Sequence, residues 1–232
     1  MRQIIALGCG GFSMEPDNPL LDLYILGQAE SECPKICFIP TASGDSENYI
    51  SRFYEFYNKH NCKPSHLSLF KPQTKDIESF ILSQDIIYVG GGNTKNLLAL
   101  WKEWELDQIL REAWDEGIIL VGISAGSLCW FEDGVTDSFG MGLEPIKCLG
   151  FLPGSNCPHY DGESNRRPSF HDFILKKEIK NGIAADDGVA IHYIDQEIDK
   201  IVSSRPNSKA YRVYLNKTII EEELDTIYLG LN

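Results

Sequence analysis

Short apolar runs recur along the first half of the chain, at 3–8 (QIIALG), 35–40 (KICFIP), 85–89 (DIIYV) and 118–123 (IILVGI). Each ends at or beside a glycine, a proline or another turn former, and little polar alternation interrupts them, which is the pattern of strands buried on both faces. The stretches between them carry helical spacing: Tyr49, Phe53, Phe56 and Tyr57; then Leu97, Leu98, Trp101 and Trp104; then Ile109, Leu110, Ala113 and Trp114. Tryptophans at such intervals read as core packing. Strand and helix in alternation predict an α/β fold, with a mostly parallel sheet, right-handed crossovers and helices on both faces. Ligand sites in such a sheet lie beyond the carboxyl ends of the strands. Beyond residue 182 the texture changes to alternating β-branched segments at 188–194, 199–203, 211–215 and 217–220, with Asn216-Lys217 as a tight turn. Residues 182–232 are therefore expected to form a C-terminal antiparallel β extension of the sheet, or a small flap against it, within a single domain spanning 1–232.

Composition narrows the function classes. The 232 residues are 43% hydrophobic, enough for one sizeable core. Lys plus Arg number 21 against 34 Asp plus Glu, a formal net charge of −13. An acidic surface repels phosphate backbones and anionic lipids, so neither nucleic acid nor a membrane surface is expected as a partner. No apolar run approaches the roughly 18 residues of a membrane span, and the apolar stretch near Met1 reads as a buried first strand. Seven cysteines without CxxC spacing point to reduced thiols in a cytoplasmic protein, with no metal and no cofactor expected. Surface apolar residues are compatible with a homo-oligomer.

Candidate chemistry sits at two strand ends. Gly122-Ile123-Ser124-Ala125-Gly126 directly follows the run 118–121 and precedes a stretch, Ser127 to Phe131, that could open a helix. It fits a nucleophile elbow, in which small neighbours let the chain turn sharply and project a serine hydroxyl. The bland alternative is a serine that caps the following helix. Gly90-Gly91-Gly92-Asn93-Thr94 follows the run 85–89. Its bare backbone N–H groups could hold a carboxylate, a phosphate or the oxyanion of acyl transfer. The Walker-A and GxGxxG patterns do not fit it. Together the two turns suit one role, with Ser124 as nucleophile, Ala125 N–H as one oxyanion donor and an N–H of Gly91 or Gly92 as another. Asn93 is a candidate for substrate contact.

A serine nucleophile needs a base. His60, His66, His171 and His192 fall in segments with structural explanations, whereas His159 lies in a loop-like stretch, Asn156 to Glu163, with little apolar periodicity. The carboxylate that orients the imidazole has three candidates, Asp187 first, then Asp137, with Asp186 beside Asp187 in the turn before 188–194.

The set GGGNT, then GISAG, then Pro158-His159-Tyr160 about 35 residues further on, resembles the peptidase E family of serine peptidases, which includes aspartyl dipeptidases and cyanophycinases. The likeness spans roughly residues 1–195 and takes in the opening LGCGGF and the FIPTAS segment at 38–43. It implies an α/β fold akin to class I glutamine amidotransferases, with a serine in place of their cysteine, a serine–histidine–carboxylate relay and no metal. Ser124, His159 and the Gly91/Gly92 loop would take the roles of nucleophile, base and oxyanion hole. Family members often carry glutamate as the third relay member, where this sequence offers Asp186-Asp187. Recognition of an N-terminal aspartate would call for a basic side chain, with Arg166 and Arg167 as candidates against the alternative of a solvated loop. The expected activity is serine-type hydrolysis of short peptides, with dipeptides bearing an N-terminal aspartate as one class. A hydrolase of non-peptide amides or esters, and a non-catalytic binding protein on the same fold, are the alternatives.

Overall fold

The computed structural model describes residues 1–230; the last two residues of the expected C-terminal extension lie outside them. Strands β1 (Gln3–Leu7), β2 (Lys35–Ile39), β3 (Lys63–His66), β4 (Ile86–Val89) and β5 (Ile119–Ile123) pair in parallel in the order β1-β5-β4-β2-β3. Every residue of β4 and β5 is buried, as expected of strands covered on both faces. The polar edge strand β3 has no apolar run to announce it, because an edge needs little burial.

Helices α1 (Gly11–Met14), α2 (Leu20–Leu26) and α3 (Glu47–Tyr57) cover one face. Tyr49, Phe53, Phe56 and Tyr57 of α3 close there on Phe12, Phe38 and Tyr88. Helices α4 (Ile77–Leu82), α5 (Thr94–Glu103) and α6 (Leu106–Asp115) cover the other, where Leu97, Trp101, Leu110 and Trp114 are fully buried. Leu106, Leu110, Ala113 and Trp114 form a single i, i+4, i+7, i+8 stripe on α6. Trp104 departs from its expected core position: it ends α5 and is 37% exposed, since the chain turns there into α6.

After β5 the short α7 (Ala125–Leu128) leads into a second sheet. The helix expected over 127–131 stops at Leu128, and the chain is extended again from Phe131. β6 (Phe131–Thr136), β7 (Glu144–Lys147), β8 (Leu152–Cys157) and, after α8 (Arg166–Leu175), β9 (Gly182–Ala185) belong to this sheet. β10 (Val189–Ile194) and β11 (Glu197–Ser203) return to the first sheet, β10 antiparallel to β1 and β11 antiparallel to β10. β12 (Ala210–Asn216) and β13 (Thr218–Leu224) form a hairpin on β9, reversing at Lys217, while β14 (Ile227–Tyr228) lies on β11 at the edge of the first sheet. The C-terminal region is thus divided between two sheets: β10 and β11 extend the first antiparallel, as expected, and the β12–β13 hairpin joins the second. The result is a mixed α/β fold of an eight-stranded and a six-stranded sheet. Among the described residues no helix is long and apolar enough to cross a membrane.

The second sheet was hidden in sequence because its inner strands are rich in glycine and polar residues. Buried Asn156 on β8 donates to Ser127 Oγ at 2.8 Å, and buried Ser155 donates to Lys180 O at 2.7 Å. Such partners satisfy polar groups that would otherwise be costly to bury.

Candidate active site

Ser124 follows β5 with φ 55° and ψ −112°, a backbone conformation that a residue with a Cβ rarely adopts. Close backbone packing holds it there. A Cβ on Gly122 would lie 1.9 Å from Gly126 O, and one on Gly126 would lie 2.3 Å from Val89 O. The two glycines therefore let β5, α7 and β4 touch through bare backbone. The Ser124 side chain makes no capping bond to α7, which removes the helix-cap alternative. Its Oγ lies instead 2.8 Å from His159 Nε2.

His159 comes two residues after β8, which runs parallel to β9 with Cys157 opposite Ala184. Tyr160 N–H extends this pairing by donating to Ala185 O at 3.1 Å. The loops leaving adjacent parallel strand ends must lie together, and His159 Nδ1 is 2.9 Å from Asp187 Oδ1. Asp187 sits where the chain crosses from β9 to β10, and its own N–H donates to Asp161 Oδ1 at 2.7 Å. Like Ser124, His159 has a positive φ, 56°. The His159 and Asp187 side chains are only 18% and 19% exposed. Burial opposes the imidazolium, but the hydrogen bond to Asp187 and the nearby Cys9 sulfur outweigh it, and the imidazole is raised to about 9. For Asp187, burial favours the neutral acid and the His159 hydrogen bond overcomes it, so the carboxyl is held below its ordinary range.

The glycine loop lies against the serine. A Cβ on Gly91 would stand 3.2 Å from Ser124 Cβ, and Gly91 N–H donates to Tyr49 Oη over a long 3.4 Å. Gly92, at φ 139°, passes so close to Ala42 that a Cβ would lie 2.2 Å from its carbonyl oxygen. Ala125 N–H opens α7, where no carbonyl of its own helix can accept it.

Other sequence candidates have different surroundings. Asp137 is exposed beyond β6, and Nδ1 of the imidazole faces Asp187. Asp186 points the other way, accepting from Lys209 N–H at 2.9 Å, and burial raises its carboxyl to about 6. The Asn93 amide is engaged within the protein, accepting from Asn96 N–H at 2.8 Å as the cap of α5 and donating to Ser138 O at 3.1 Å. Arg166 is buried at the start of α8 and donates to Glu163 and to Val135 O at 2.9 Å, so the solvated-loop alternative fails for it along with a free arm. Arg167 pairs with Glu221 over the rings of Tyr160 and Tyr211. Both guanidinium groups are committed to structural partners because α8 packs on the second sheet, a contact the sequence did not announce.

Cys9 also faces the site, and no motif in the sequence marks it. Leu7 of β1 pairs opposite Ile123 of β5, so the chain leaving β1 runs beside Ser124. Cys9 lines a cleft of about 190 Å³ with Ser13, Tyr49, Gly91, Ser124 and His159. The rule that sites form beyond parallel strand ends was the available signal, but the adjacency of β1 and β5 was not. A larger groove of about 840 Å³ lies on the second sheet among Glu132, Asp133, Lys147 and Lys180, away from this cleft.

Fold and site together define a mixed α/β protein with a serine, an imidazole and a carboxylate in line at its strand ends, an arrangement suited to acyl transfer. A model of Peptidase family S51 matches residues 4–201, and the chain belongs to that family and is a peptidase. It is 60% identical over 231 residues to the uncharacterized peptidase YgaJ of Bacillus subtilis (strain 168), covering 99% of this chain and 100% of the relative. Solved structures share the fold. The crystal structure of a peptidase from an acI-B1 Actinobacterium superposes with a TM-score of 0.70 at 17% identity, covering 97% of this chain and 95% of that one. A candidate peptidase E protein from Listeria monocytogenes EGD-e gives a TM-score of 0.60 at 17% identity, covering 97% and 100%.

Proposed function

We propose that this chain is a serine peptidase of short peptides, acting through Ser124, His159 and Asp187. The observation that carries the reading is the continuous hydrogen-bonded chain from Ser124 Oγ through the imidazole to Asp187 Oδ1, at 2.8 and 2.9 Å. Asp187 accepts from Nδ1–H and fixes the tautomer that leaves Nε2 free to take a proton. Ser124 Oγ attacks the scissile carbonyl carbon as its proton passes to Nε2. The oxyanion that forms faces Ala125 N–H and the Gly91/Gly92 backbone, whose long bond to Tyr49 Oη it would displace. Each such donor is typically worth about 2.7–4 kcal/mol in the transition state. Nε2 then protonates the leaving amine, and water hydrolyses the acyl-enzyme by the same route in reverse.

A cleft of about 190 Å³ favours substrates of dipeptide size. With Arg166 and Arg167 occupied, neither supplies a free basic arm for an N-terminal aspartate. A panel of Asp-X and Ala-X dipeptides, longer peptides and a simple aryl ester tests the reading. Cleavage of dipeptides, lost in Ser124→Ala, supports it; turnover of the ester alone favours a non-peptide hydrolase, and full activity in Ser124→Ala overturns nucleophilic catalysis.

A further inference from the structure

One sulfur near the relay has no part in the acyl chemistry. Cys9 is 4% exposed, and its Sγ, an imidazole nitrogen of His159 and a carboxylate oxygen of Asp187 all lie within 4.8 Å of one another. The three come from separate segments that the backbone ties together. Gly188 N–H donates to Cys9 O at 3.1 Å and Gly8 N–H to Val189 O at 2.9 Å, which sets the end of β1 against the turn bearing Asp187. Cys9 and His159 both open onto the 190 Å³ cleft, which gives a small solute an entry path.

We infer that Cys9, His159 and Asp187 form a binding site for a thiophilic divalent cation of the zinc class, and that occupancy switches the serine off. The donor set matches the ion: a thiolate, an imidazole and a carboxylate are the ligand types zinc takes, with a fourth, tetrahedral position left for water on the cleft side. Ideal zinc bonds would put these donors about 3.4–3.6 Å apart, so taking up the ion needs side-chain shifts on the order of an ångström, with Nδ1 and Asp187 Oδ1, now 2.9 Å apart, parting slightly when Nδ1 is the ligand. A thiolate and a carboxylate together offset the dipositive charge in a partly buried site. Asp161, which accepts from the Asp187 N–H, and the Gly188–Cys9 bond supply outer support.

Coordination and catalysis exclude each other. As the sulfur–metal bond forms, the thiol proton leaves to solvent, and where the ring is an imidazolium the nitrogen that binds the metal also gives up its proton to solvent. A metal on Nδ1 displaces the bond to Asp187 and leaves the neutral ring's proton on Nε2, which then has no lone pair for the serine proton. A metal on Nε2 takes that lone pair itself. In either geometry Ser124 loses its base. The inhibition rests on the serine-peptidase reading above, whereas the binding does not.

The test uses the full chain, chelator-treated and then supplied with zinc chloride, with two separate readouts. Binding is followed by competition with a chromogenic chelator, and by cobalt(II) substitution, in which a thiolate ligand gives an intense near-ultraviolet charge-transfer band. Inhibition is followed as the rate of fluorophosphonate labelling with and without zinc, each variant compared with itself. Expected are one zinc per chain, a cobalt–thiolate band and zinc-suppressed labelling, with affinity falling more than about tenfold in Cys9→Ala, as ligand loss should cost at least what outer-shell changes do. Cys62→Ser, remote from the cleft, should behave as the unaltered chain. Cys9→Ser serves if Cys9→Ala fails to fold, and should also lose the band. Equal zinc binding or equal zinc suppression with and without Cys9 would overturn the site. Absence of labelling in the zinc-free chain would count against the serine reading, and the stoichiometry and cobalt band would then still decide the cation site.

Discussion

Ser124 and His159 lie 35 residues apart in sequence, hold nearly the same left-handed φ, 55° and 56°, and meet side chain to side chain at 2.8 Å. Each such backbone costs about 1–3 kcal/mol unless its surroundings enforce it. The enforcement comes from opposite sides: bare-backbone packing around the end of β5 for the serine, and the paired ends of β8 and β9 for the histidine.

Strain at position 124 should be visible as stability released. Ser124→Gly, which tolerates the conformation, is expected to exceed Ser124→Ala by about 1 kcal/mol in unfolding free energy, with both inactive. Urea denaturation measures the difference; an alanine variant as stable as the glycine one would mean that the bend is not strained.

Activity should rise with pH. In the proposed mechanism the neutral imidazole acts as the base, and the imidazole is raised to about 9 in the folded chain, so the limb of kcat/KM should lie above the ordinary histidine range and fall away below about 9. The same sign applies to stability: the charged pair stabilises the fold below the unfolded histidine's pKa of about 6.5, and that contribution is lost as pH rises through about 9. Asp187→Asn should lower kcat by on the order of 10⁴ and move the limb down in pH. An unshifted limb in that variant would show that Asp187 does not hold the imidazolium.

Neither elbow glycine should accept a methyl group. Gly122→Ala and Gly126→Ala both drive a Cβ into backbone carbonyls, at 1.9 and 2.3 Å, with no flexible side chain to give way. A loss of about 3 kcal/mol or more is expected, read as a lower thermal midpoint or as insoluble protein. Midpoints within a degree of the parent would contradict the packing.

Asn93→Ala separates structure from substrate contact. Removing the cap of α5 should cost about 1 kcal/mol while KM stays near the parent value, because the amide already serves Asn96 and Ser138. A large rise in KM with unchanged stability would return Asn93 to the substrate.

How much of this was legible in the sequence follows from what each element buries. β1, β2, β4 and β5 fall within a residue or two of the apolar runs, because strands covered on both faces must be apolar throughout. β8, with Pro153, Gly154, Ser155 and Asn156, carries no such mark, since its polar groups are satisfied by Ser127 and Lys180 from other segments. Ser124 was legible from its elbow and His159 from the lack of any packing reason for it. Pairing with Asp187 rather than Asp137 depends on β8 and β9 being neighbours, and the place of Cys9 on β1 lying beside β5. Both are facts of strand order, which local pattern does not encode.

Labelling with a fluorophosphonate followed by peptide mapping tests directly whether Ser124 is the nucleophile. A single adduct on Ser124 is expected, formed more slowly when His159 is replaced by alanine. An adduct on another residue, or a Ser124 that stays unmodified under conditions where other serine hydrolases react, would contradict it.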